Sequence, residues 1–294
     1  MSETLPALRS SGRTAADRPR RVIDPAHERL HLGRSLRELW AQRELLFVVT
    51  ARELRVRYKQ SLLGVAWAVL QPLALMAVFT IFFSRLAKIS SGDLPYAPFV
   101  YCGLLPWTFF NTSISFASNS MVANASVVKK TYCPREVFPI ASVLAAGVDF
   151  FFSALVYAGL LLIYRQSIHL TAWVAFVIPL VVLQDGFALA CGLILAAINA
   201  YYRDVRYVVP LLLQVWFFAT PVVYQLSVIP PKYLTAYLIL NPMAAIIDGY
   251  RRVTLHGQPP QWEYLAIGLG MTAVLLVGGY ALFKWLDQVV ADVL

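Results

Sequence analysis

The chain has 294 residues and a net charge of +9, with 59% hydrophobic and only 14% charged side chains. Soluble domains carry about 25% charged residues, so this composition and a mean hydropathy of +0.63 exclude a soluble enzyme. The sequence holds no G-x-x-x-x-G-K-[ST] loop and no polar loop with convergent acids, which argues against a P-loop ATPase and a membrane glycosyltransferase.

More than half of the basic residues precede position 61. Such a segment binds nucleic acid or holds the cytoplasmic side of a membrane protein. The apolar remainder favours the second, and no nucleic-acid partner is expected. Residues 1–34, rich in Arg, Ser, Pro and Ala and without periodicity, read as a disordered cytoplasmic tail. Over 35–60, Ser35 with Glu38 and Thr50 with Glu53 have capping-box spacing. Apolar Leu46, Phe47, Leu54 and Val56 alternate there with Arg52, Glu53, Arg55, Arg57 and Tyr58, which predicts an amphipathic helix lying along the membrane interface.

From 61 to 294 the chain reads as one membrane domain of six helices, about 62–84, 96–122, 138–164, 172–198, 207–224 and 262–286. A bilayer core of about 30 Å needs about 20 apolar residues, so the fifth is marginal. Gln71-Pro72 predicts a kink in the first. The inner flanks would hold Arg52, Arg55, Arg57, Lys59, Lys129, Lys130, Arg135, Arg203, Arg206 and Lys284, and the outer ones Arg85, Lys88, Arg165, Lys232, Arg251 and Arg252. That asymmetry places both termini in the cytoplasm. Before the last span, 231–240 and 242–253 are too short to cross, and Asn241-Pro242 reads as an N-cap followed by N1. The fold class is therefore all-α and membrane-integral: an interface helix, six spans and a short re-entrant hairpin.

Cys102, Cys133 and Cys191 lack metal-ligand spacing and read as core residues. Asp149 and Asp185 fall inside predicted spans with no basic residue expected at their depth, which suggests packing or lining rather than proton coupling. The second span is polar at Asn111, Thr112, Ser113, Ser115, Ser118, Asn119 and Ser120, suiting interhelical bonds or a wet path. Its aromatic residues Trp107, Phe109 and Phe110 are suited to a glycan path or to an interface belt. The charged segment 124–137 is short, as a helix docking a soluble motor would be.

Several motifs in order resemble the ABC export permeases for polysaccharides, the O-antigen, capsule and teichoic-acid exporters. They are Arg52-Glu53-Leu54 with Arg57-Tyr58, Ser61-x-x-Gly64-x-x-Trp67, Leu70-x-Pro72, Gly103-Leu-Leu-Pro-Trp107, and the Lys130 to Pro139 loop. Asn199 to Val205, Pro221 to Tyr224 and Asn241-Pro-Met243 complete the set. The resemblance implies a homodimer in the inner membrane, paired with two copies of a separate ATPase that binds ATP and Mg, with no cofactor in this chain. It implies ATPase coupling through Lys129, Lys130, Thr131, Tyr132, Pro134, Arg135 and Glu136, with a second contact at Tyr202, Arg203 and Asp204. Arg52, Glu53, Arg55, Arg57 and Tyr58 would form the interface helix, and Pro231, Asn241 and Pro242 the outer gate. A lipid-linked glycan would pass Trp67, Trp107, Phe109, Phe110 and Trp216. The competing expectations are a proton-coupled flippase using Asp149 and Asp185, and an exporter of a small lipid or drug.

Overall fold

The computed structural model describes residues 41–59, 61–86, 94–130 and 133–293, and their regular structure is entirely helical. A helix satisfies its own backbone polar groups, which an apolar solvent requires. The tail and Ser35 with Glu38 lie outside the described residues.

Helix α1 (Arg43–Tyr58) falls within the segment 35–60 for which a helix is expected. Thr50 lies in its interior, where its hydroxyl donates to Leu46 O at 2.8 Å. The second capping box is therefore corrected: no helix begins at Thr50. The chain turns at Gly64, whose φ of 51° favours a residue without a Cβ, and this accounts for the glycine in Ser61-x-x-Gly64. The Ser61 hydroxyl accepts from Gly64 N–H at 3.2 Å. Helix α2 (Ala66–Phe79) runs through Pro72 and widens into a π-helical stretch, Thr80–Leu86.

Helix α3 (Tyr96–Ala123) is the hub, packed against α2, α5 and α6 and mostly buried. Within it, the hydroxyls of Ser118 and Ser120 donate to Ser115 O and Ala117 O. Asn199 crosses over to donate to Ser118 O at 2.9 Å. There follow α4 (Ala125–Lys130), α5 (Val137–Ile163), and α6 (Val177–Tyr201) entered through a 3-10 turn at Ala172–Phe176. Next come α7 (Val205–Ala219), α8 (Pro231–Leu240), α9 (Pro242–Arg251) and α10 (Trp262–Val293).

Among the described residues, four helical segments are long and apolar enough to cross a membrane: Ala66–Phe83, Val137–Ile163, Ala172–Tyr201 and Trp262–Leu286. Helix α3 has the length at 28 residues but is diluted by its Asn and Ser. Helix α7 stops at Ala219 rather than near 224, because Thr220 precedes Pro221 and takes an extended conformation. Helices α8 and α9 each start on a proline, whose fixed φ suits N1. The Asn241 side chain makes no cap bond. Its amide donates instead to Thr220 Oγ1 at 2.9 Å, tying the hairpin to the end of α7.

Candidate functional site

Two polar clamps hold α1 to the bundle. At the foot of α3, Arg52 Nη1 donates to Asn124 Oδ1 at 2.9 Å, while Asn124 Nδ2 donates to Ser120 O at 2.9 Å and to Glu53 Oε1 at 3.4 Å. The second clamp changes the reading of Asp149. It is not isolated: Arg57 and Tyr58 both donate to its carboxylate. The partner comes from α1, far away in sequence, where the helix folds back along α5. Burial, then the carboxylate beside it, pushes the Tyr58 phenol well above its ordinary pKa and keeps it a donor. The Arg57 guanidinium stacks 4.0 Å over the Phe116 ring. Arg55 stays exposed and donates to Ala51 O within its own helix.

The second clamp forms one wall of a cavity of about 290 Å³ between α1, α2, α3 and α5. Trp67, Phe109, Phe116 and Phe150 supply aromatic surface, and Ser61, Gln71, Thr108 and Thr112 supply polar groups. Flat rings beside amides, hydroxyls and a carboxylate are a chemistry that accommodates a sugar ring.

The aromatic residues singled out in sequence separate on this geometry. Trp67 is 53% exposed and, with Phe109, lines the cavity. Phe110 is fully buried and stacks on Phe187 at 5.2 Å between centroids, with Trp216 edge-on at 5.3 Å. Trp107 is buried edge-on to Phe217 at 5.6 Å. These rings spend their surface on each other inside the subunit. The lining expectation is corrected for Trp107 and Phe110, which leave no free face.

The loop residues divide as well. Lys129 and Lys130 end α4, while Thr131 and Tyr132 lie outside the described residues. Pro134 and Arg135 are half-buried, and Tyr202, Arg203 and Asp204 are exposed at the α6–α7 turn. Glu136 departs from expectation. It is buried, 2.7 Å from Lys284 Nζ on α10, so its carboxylate faces the bundle and not a docking surface. In the same turn, burial raises the Cys133 thiol above its ordinary value.

At the opposite end, Arg251 is not a flanking surface charge but a buried pin. It donates to Pro221 O at 2.7 Å, Tyr224 O at 2.8 Å and Val222 O at 2.5 Å, and it lies 3.8 Å over the Phe99 ring. Tyr96 OH donates to Val223 O in the same turn. A Cβ on Gly103 would fall 2.5 Å from Val222 O and 2.9 Å from Arg251 Nη2, so glycine there makes room for the pin. Pro231 and Pro242 begin the two hairpin helices, and Asn241 bonds the α7 end as described. Charge counting along the sequence missed Arg251 and the Lys284 contact. The glycine of Gly103-Leu-Leu-Pro-Trp107 was the available signal for the pin.

The profile of the ABC-2 type transporter family matches residues 44–255. A curated protein of Myxococcus xanthus described as O-antigen export system permease protein RfbA is 33% identical over 253 residues, covering 85% of this chain and 95% of that protein. One of the same description from Klebsiella pneumoniae is 31% identical over 252 residues, with the same coverage of 85% and 95%. The polysialic acid transport protein KpsM of Escherichia coli is 26% identical over 255 residues, covering 83% of this chain and 93% of that protein.

Proposed function

Since the chain belongs to the ABC-2 type transporter family, we propose that it is the membrane permease of an exporter that moves a lipid-linked polysaccharide of O-antigen type across the inner membrane. The observation that carries this is the similarity, over nearly the full length of both chains, to permeases described as O-antigen export proteins. In this reading the six spans are α2, α3, α5, α6, α7 and α10, both termini are cytoplasmic, and α8 with α9 dips in from the outer face. Two copies pair with two copies of a separate ATPase, which binds ATP and Mg. The ATPases dock on α4 and on the exposed turn Tyr202-Arg203-Asp204.

The geometry supports a mechanism. Docking on α4 pulls on Asn124, at the α3–α4 junction, and so on α1 through Arg52 and Glu53. Helix α1 carries the movement to Asp149, and the cavity between α1, α2, α3 and α5 changes shape around a passing sugar. Trp67 stacks on the ring faces, while Gln71, Thr112 and Asp149 exchange hydrogen bonds with hydroxyls. Binding must be weak, because a chain advances only if each unit lets go.

The test is to delete the gene and complement it with wild type or with the Trp67→Ala variant, following glycan at the cell surface and lipid-linked glycan inside. Deletion predicts internal accumulation that wild type relieves and Trp67→Ala relieves poorly. Normal surface glycan after deletion overturns the reading.

A further inference from the structure

The end of α10 contacts residues that adjoin both proposed docking segments, Glu136 beyond α4 and Tyr201 before the α6–α7 turn. Glu136, just before α5, is 2% exposed, with its Oε1 2.7 Å from Lys284 Nζ and accepting from Tyr280 OH at 3.4 Å. Positions 280 and 284 lie four apart and share a helix face. Half a turn further, Leu286 O accepts from Tyr201 OH at 3.0 Å, and Tyr201 ends α6 immediately before the exposed turn. Phe283, between these contacts, is buried in one cluster with Val49 of α1, Met121 of α3, Val137 and Phe138 of α5, and Ala200 of α6.

An ion pair with one buried partner is weak support for stability, because desolvating the charge offsets the attraction. Such a pair fixes position instead: a carboxylate held by an ammonium and a phenol on one face sets the register between two helices. Nothing in a docking role requires Glu136 to be inside, whereas a mechanical link to α10 does. Through side-chain bonds the last helix touches both Glu136, at the start of α5, and Tyr201, at the end of α6.

We infer that α10 is a transmission strut, with Glu136, Tyr280 and Lys284 as positioning residues that relay movement of the α4–α5 segment into the last helix, while Tyr201 ties the α6–α7 turn to the same strut. The two docking segments then move as one body, and a stroke delivered to either reaches the outer half through α10, which packs against α9. The inference rests on the exporter reading.

The test uses the complete permease–ATPase complex in proteoliposomes, measuring glycan translocated per ATP hydrolysed together with the KM for ATP. For Lys284→Met the complex assembles and hydrolyses ATP with unchanged KM, but translocation per ATP falls at least about fivefold, the lower end of typical coupling between sites. Lys284→Arg, which keeps the ion pair, retains the wild-type ratio. Glu136→Gln lowers the ratio, and the reversed pair Glu136→Lys with Lys284→Glu recovers part of it. An unchanged ratio in Lys284→Met overturns the relay alone. Proportional loss of assembly, hydrolysis and translocation in Lys284→Met also overturns it, since that is the signature of folding support. A wild-type complex that hydrolyses ATP and moves no glycan overturns the exporter reading and the relay together.

Discussion

Replacing Arg251 with Met probes the outer end most sharply. The guanidinium donates three bonds to the carbonyls of Pro221, Val222 and Tyr224 and covers the Phe99 face. Charge-assisted bonds contribute about 1.5 kcal/mol each, so the three together give a loss of about 4–5 kcal/mol, and the ring contact adds about 1 kcal/mol. Met lifts the desolvation cost of a buried cation, several kcal/mol, leaving a net destabilisation of about 2–4 kcal/mol. For a chain of this size each kcal/mol moves the midpoint by roughly 2–4 °C, so Arg251→Met should melt about 5–15 °C below wild type. The assay is heating in detergent followed by size-exclusion chromatography of the remaining monodisperse protein. Arg251→Lys keeps the charge but loses the planar fork that spans the carbonyls, and should fall between the two. A midpoint for Arg251→Met equal to wild type would refute the pin.

Gly103→Ala should cost about 1–3 kcal/mol through overpacking against Val222 O and Arg251 in the same assay. Asp149→Asn should destabilise more than the double variant Arg57→Met with Asp149→Leu, because a lone buried cation is worse than an apolar pair; a double-mutant cycle reads the coupling. Trp67→Ala should lower export with normal folded yield, whereas Trp107→Ala should lower the yield itself, since one ring lines the cavity and the other is core. Asp185→Asn should retain ATP-driven export in the presence of an uncoupler, and loss of export would favour proton coupling.

Much of the helical layout was legible because its signals are local. The hairpin helices begin where Pro231 and Pro242 supply N1, whereas the breaks at Gly64 and Thr220-Pro221 fell inside the expected spans 62–84 and 207–224. What escaped was the facing of side chains. Phe109 and Phe110 are adjacent in sequence, yet one lines the cavity and the other stacks on Phe187, because a helix turns about 100° per residue. Arg251 read as a membrane flank and Asp149 as a lone acid because their partners arrive from distant segments, which no periodicity reports. Glu136 read as a docking charge for the same reason, its ammonium partner lying near the C-terminus.

The central claim is tested most directly by reconstituting the permease with the ATPase encoded beside it and measuring transfer of lipid-linked glycan into the vesicle lumen. The account predicts a stable complex whose transfer requires ATP hydrolysis and is insensitive to dissipating the proton gradient. Transfer driven by the gradient without ATP, or no complex with the ATPase, would contradict it.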